Sequence, residues 1–167
     1  MQDDYYADYT EDDKAELLKL YKLPYKKMGE HEQVNYTVPY DLGSLMQYSS
    51  NAVMMPKDSN YETTMGSQFV SFYDKVIVNE HYKCTGKCDK EREMECENKG
   101  FLDPKTCTRC VCPSGYGGPY CKERSGSFTN ITVRIISIYD GSKNAIGCNS
   151  AGVEIKTRDD QRLTGYR

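Results

Sequence analysis

Two histidines, eight cysteines and the turn Pro39-Tyr40-Asp41-Leu42-Gly43-Ser44-Leu45-Met46-Gln47-Tyr48 are the parts of this 167-residue chain that could carry chemistry. A catalytic zinc takes three protein ligands and leaves a position open for water. Two histidines four apart on a helix, with a glutamate between them and a third histidine beyond, make such a set, because residues i and i+4 share a helical face. His31-Glu32 starts in that manner, but Asn35 stands where the second histidine belongs, and fifteen residues separate His31 from Met46. His31 is therefore expected on a surface loop. His81, beside Glu80, is expected to be structural or solvated at the end of a short helix. The histidine pair and the glutamate that would activate a water are not in these 167 residues.

Seven of the eight cysteines fall between Cys84 and Cys121. That density points to a secreted, disulfide-stapled module in an oxidising compartment. Roughly forty residues bury too little core to fold unaided, and each bridge typically adds about 2–4 kcal/mol. Spacing alone leaves fifteen pairings open for six cysteines. A zinc ribbon is the competing reading, with Cys84-x3-Cys88, Cys107-x2-Cys110 or His81 as ligands. It would leave Cys112 and Cys121 over and give the Gly115–Gly118 turn no purpose.

The elements that must position these residues are short. Six acids and no base among the first thirteen residues read as a solvated arm. Thr10 with Asp13 makes a capping box for a helix over 11–22, with Leu17, Leu18 and Tyr21 on one face and Pro24 ending it. Ser71 with Asp74 caps a second helix near 72–83 that should bury Tyr73, Val76 and Ile77. Phe128 to Tyr139 alternates as a strand, Asp140-Gly141 marks a turn, and Val153 and Ile155 alternate again. Asn35-Tyr36-Thr37 and Asn130-Ile131-Thr132 are glycosylation acceptors. A formal charge of −3 gives no long-range pull on nucleic acid, and no apolar run is long enough to span a bilayer. Met1-Gln2-Asp3-Asp4-Tyr5 is not a signal peptide, so a secreted composition without an export signal suggests that the chain is a piece of a longer protein.

The 40–48 turn resembles the Met-turn of astacin-type zinc metalloendopeptidases: Tyr40, Asp41, Ser44, Met46 and Tyr48 match, while Leu42 and Gln47 depart. Thr64-Met65-Gly66, Ser71-Phe72-Tyr73-Asp74, Asn79 and Tyr82-Lys83-Cys84 resemble the end of the same catalytic domain. The resemblance implies Met46 beneath a zinc ion and Tyr48 as a switch tyrosine that can ligate the metal or swing to the oxyanion. Zinc would serve the full-length enzyme and is not expected to bind this stretch, which lacks the HExxHxxGxxH helix and should be inactive alone. Cys110-Val-Cys112-Pro-Ser-Gly115-Tyr116-Gly117-Gly118-Pro-Tyr120-Cys121 resembles the end of an EGF-like module. Its family order implies Cys88–Cys107, Cys96–Cys110 and Cys112–Cys121, without bound calcium. Residues 153–157 and 162–167 resemble part of a CUB domain, as in nematode-type astacins. By the same likeness Cys84 and Cys148 pair with cysteines outside this chain.

The expected fold is thus α+β, loop-rich and multi-module. Residues 1–84 form the C-terminal part of a zincin catalytic domain (1–33 unassigned), 85–122 an EGF-like β-hairpin module and 123–167 an incomplete CUB-like β segment. The expected function is secreted, zinc-dependent peptide hydrolysis on protein or peptide substrates, with extracellular partners for the modules and no nucleic acid. The alternatives are a non-catalytic extracellular binding or matrix protein and an intracellular zinc-binding adaptor.

Overall fold

A computed structural model describes residues 10–23, 26–51, 54–88, 94–124 and 153–167. The chain divides into two compact units, Met1–Thr37 and Val38–Arg167. The acidic start, Pro24, the expected strand at 128–139, the Asp140-Gly141 turn, Asn130 and Cys148 lie outside the described residues.

The first unit contains helix α1, Glu11–Lys22. Thr10 and Asp13 close the reciprocal capping box that starts it, and three acids in its first turn face the positive end of the helix dipole. None of its residues is buried, and Leu18 and Tyr21 stand largely exposed.

The second unit is built around helix α2, Phe72–His81. Ser71 and Asp74 form its capping box, and Lys83, in the left-handed region at φ 52°, follows its end. Phe72 and Tyr73 are buried, whereas Val76 and Ile77, expected in the core, are half-buried. The reason is direction: only the first turn of α2 faces the packed side, where the Phe72 ring meets Phe101 at 5.6 Å. Before α2, Tyr61, Thr64 and Met65 fill the interior behind a short 3-10 turn at Ser59–Tyr61.

After α2 the chain is held covalently. Bridges join Cys88 to Cys107, Cys96 to Cys110 and Cys112 to Cys121, in the one-three, two-four, five-six order. Two minimal antiparallel pairs accompany them: β1 (Phe101–Leu102) with β2 (Cys110–Val111), and β3 (Tyr116–Gly117) with β4 (Glu123–Arg124). Gly100 is required by close approach, since a Cβ there would lie 2.6 Å from Cys121 Sγ and 2.9 Å from the Val111 carbonyl oxygen. The alternation at Val153 and Ile155 makes a single bridge, Ile155 to Tyr166, rather than a strand. Residues 158–167 then lie against the 41–73 stretch: Thr164 is buried against Asp41 and Gly43 of the 40–48 turn, and Leu163 beside it is buried as well.

Candidate functional site

The turn at 40–48 is fixed by two carboxylates. Asp41, buried, receives the Gly43 amide on Oδ1 at 3.2 Å. The Thr164 amide reaches the same oxygen at 3.1 Å, and the Thr164 hydroxyl reaches Oδ2 at 3.1 Å. Asp74 works from the first turn of α2. Its Oδ1 accepts from the Ser44 hydroxyl at 2.6 Å, and its Oδ2 accepts the amides of Leu45 and Ser71, both at 2.9 Å. The same side chain therefore caps its helix and pins the turn. Burial alone would raise the Asp74 carboxyl, but the donors from Ser44, Leu45 and Ser71 outweigh it and hold the group below its ordinary value.

Within the turn, the Ser44 amide donates to the Asp41 carbonyl at 3.1 Å and the Gln47 amide to the Ser44 carbonyl at 3.0 Å. The Met46 amide donates to Ser44 Oγ at 3.1 Å, and the Tyr40 hydroxyl donates to the Gln47 side-chain oxygen. With the backbone committed inward, the apolar side chains point out. Met46 is 84% exposed and Tyr48 62%. Gln47, a departure from the family pattern, spans Tyr40 on one side and the Met54 sulfur at 3.6 Å on the other. A second polar cluster lies behind the turn. Tyr73 donates to Asp160 at 2.7 Å, and Arg162 grips Asp160 at 2.8 Å while its guanidinium lies over the Tyr73 ring. Burial and the neighbouring carboxylate push the Tyr73 phenol up; the Arg162 hydrogen bonds hold Asp160 far below the usual carboxylate range.

The sequence-predicted residues are dispersed. His31 is exposed in the first unit, as is Asn35. His81 ends α2 with its ring edge-on to Tyr82 at 4.8 Å. Cys84 is half-buried and is the unbridged cysteine among the described residues. Also among the described residues, no three His, Cys, Asp or Glu side chains converge to hold a metal ion. The donor set here does not fit a catalytic zinc, and Cys88, Cys107 and Cys110, which a zinc ribbon would need as thiolates, are in disulfides. The turn's supports escape a reading of the sequence. The Ser71/Asp74 capping box is visible there, but its extension to Ser44 and Leu45 spans about thirty residues, and Asp41–Thr164 spans 123.

A comparison with protein-family models matches residues 7–83 to Astacin, a peptidase family. Among curated proteins, the zinc metalloproteinase nas-31 of Caenorhabditis elegans is 38% identical over 192 residues, covering 88% of this chain and 31% of that protein. The zinc metalloproteinase-like protein nas-21 of the same species is 30% identical, covering 93% of this chain and 50% of its own length. Zinc metalloproteinase nas-36 of Brugia malayi is 37% identical over 70% of this chain and 21% of its own. The chain thus spans between about a fifth and a half of the length of these relatives. No solved structure matches it.

Proposed function

Because the chain belongs to the astacin family through residues 7–83, we propose that it supplies the Met-turn region of a secreted zinc metalloendopeptidase. In that enzyme a zinc-activated water would attack the peptide carbonyl of a protein or peptide substrate. The zinc ligands and the motif glutamate would come from outside these 167 residues, so this stretch alone is inactive. Its own part is to hold a turn. Asp74 and Asp41 lock the backbone of 41–47, and the lock presents Met46 and Tyr48 to the surface on which a ligand-bearing helix would rest. Tyr48 would donate to the oxyanion. The observation that carries the reading is this double pinning of a turn whose sequence matches the family pattern at five positions.

Two experiments test it. The chain, incubated with zinc and a generic protein substrate, should give no zinc-dependent cleavage; cleavage would refute its inactivity. Residues 7–83 transplanted into the matching stretch of nas-31 should retain zinc-dependent proteolysis. Tyr48→Phe in that chimera should lower kcat on the order of 10²-fold, the size of one lost oxyanion donor, with less effect on KM.

Residues 85–122 form the EGF-like module of this reading, supported by its three bridges and paired strands. Residues 123–167 form the CUB-like part. Asn35, exposed, and Asn130 would carry glycans, and Cys84 and Cys148 would bond to cysteines outside this stretch. The bridged module also supports the alternative, a non-catalytic extracellular protein that binds partners through its modules.

A further inference from the structure

Residues 158–167 meet the 41–73 stretch through a series of specific polar contacts. Arg158 donates to the Tyr61 hydroxyl at 3.1 Å. Asp160 accepts from Tyr73 at 2.7 Å, and Arg162 lies over the Tyr73 ring. Thr164 satisfies both oxygens of Asp41, as described above. Tyr166 packs edge-on against Tyr61 at 4.5 Å and donates to Asp58 at 2.9 Å. The Arg167 amide donates to Thr64 at 2.9 Å, and its guanidinium donates to the buried Ser67 hydroxyl at 2.6 Å. The segment turns at 160–163, where the Leu163 amide donates to the Asp160 carbonyl at 3.2 Å, so that Arg158, Asp160, Arg162, Thr164, Tyr166 and Arg167 all reach the same face.

Two features say that the 41–73 face is shaped for this segment. Asp41 is buried, and without Thr164 it would lose two of its three donors; leaving a buried acceptor unsatisfied is costly. Gly43 does not adopt a positive φ, yet a Cβ there would lie 2.2 Å from Thr164 Cγ2, and its three nearest atoms would all be Thr164's. The glycine serves the approach of residues 158–167, not the shape of the turn.

We propose that residues 158–167 are a tethered peptide ligand, and that the face made by Asp41, Gly43, Tyr61, Thr64, Ser67 and Tyr73 is its binding site. The site recognises a carboxylate and a guanidinium presented on a turn, then a small hydroxyl residue and a phenol. Because segment and site belong to one chain, their contact is intramolecular, and the individual contacts need not be strong to keep the site filled in cis. This inference stands apart from the peptidase reading and holds whether or not the chain contributes to an active enzyme.

Amide hydrogen exchange on the full chain tests it. Thr164 and Arg167, whose amides donate across the interface, should be protected, and dilution should not change their rates. In Gly43→Ala both should exchange at least about tenfold faster, while Asp103 and Cys110 in the bridged module keep their rates within about twofold. Adding Thr164→Gly to Gly43→Ala removes those three nearest atoms and should restore most of the Arg167 protection. If Gly43→Ala disrupts the whole unit, the isosteric Thr164→Val, which exchanges the hydroxyl for a methyl, should still speed Arg167 exchange about threefold. Unchanged rates in both single variants would overturn the proposal. Protection that falls on dilution would overturn it in favour of a segment exchanged between two copies.

Discussion

The stretches before and after Cys84 solve the same problem with different chemistry. Residues 41–74 hold an irregular turn with carboxylates: Asp41 and Asp74 accept from amides and hydroxyls, and side-chain packing is confined to a small interior around Tyr61, Met65 and Tyr73. Residues 88–121 hold equally irregular chain with three disulfides, and their strands are two residues long. The first solution depends on ionised acids, the second on oxidised sulfur. One half should therefore respond to acid and the other to reductant, although the Phe72–Phe101 contact joins them and the Ser114–Glu154 hydrogen bond ties the bridged module to the segment that packs on 41–73.

The largest effect should come from breaking the sulfur side. Cys112→Ser opens the Cys112–Cys121 bridge and should cost about 2–4 kcal/mol, enough to unfold a module this small. Thermal melts read the loss, and exchange of the Cys110 and Asp103 amides locates it. If the comparison is right, the Leu45 amide keeps its protection in the same variant.

Next comes the carboxylate side. Asp74→Ala removes a helix cap and two further acceptor contacts, to Ser44 and Leu45, and should cost about 2–3 kcal/mol. Urea melts measure this, and the Leu45 amide should exchange faster while the bridged amides do not. Asp74→Asn keeps one oxygen, which can still accept from Ser71 and Leu45 as Oδ2 does, but puts an amide donor where Oδ1 accepts from Ser44 and loses the charge; an intermediate loss is expected.

What is legible in the sequence follows the same division. Local devices are readable: both capping boxes lie three residues apart and both form, and α1 has the predicted bounds. The turn at 40–48 can be found by its residue pattern. Its supports cannot, because a hydrogen bond from Thr164 to Asp41 leaves no periodic trace across more than a hundred residues. Helix α2 shows how a correct element can have the wrong core. Its apolar positions at Val76 and Ile77 satisfy the helical period, but burial depends on what the neighbouring chain covers, and Phe101 covers only the first turn. The alternation at Val153 and Ile155 likewise needs a partner strand, and Tyr166 supplies one bridge.

Acid should separate the halves more gently. Asp74 and Asp160 have folded-state values held below those of the unfolded chain. Their contribution is present above the unfolded carboxylate range and is lost as pH falls from about 4 through the lower folded values. Exchange at Leu45 should therefore accelerate below about pH 4 before exchange at Cys110 does. Asp103 in the bridged module is also lowered, by the Lys105 amide first and Arg109 next. Protonating it should free the 103–106 turn without releasing the chain, because the bridges persist at low pH. Simultaneous loss at Leu45 and Cys110 would show that the two halves fold as one cooperative unit.

The smallest effects should come from the residues that the family pattern makes most conspicuous. Met46 is 84% exposed and Cys84 carries no bridge among the described residues. Met46→Ala, a surface change, and Cys84→Ser, which opens no bridge among the described residues, should each move stability by less than about 0.5 kcal/mol. The turn explains why: its backbone is held through Ser44 and Asp41, so its shape survives removal of the side chain it displays. Thermal melts beside Asp74→Ala make the contrast quantitative. A loss at Met46 comparable to that at Asp74 would mean that the methionine is covered in solution, and the carboxylates would then no longer account for the turn by themselves.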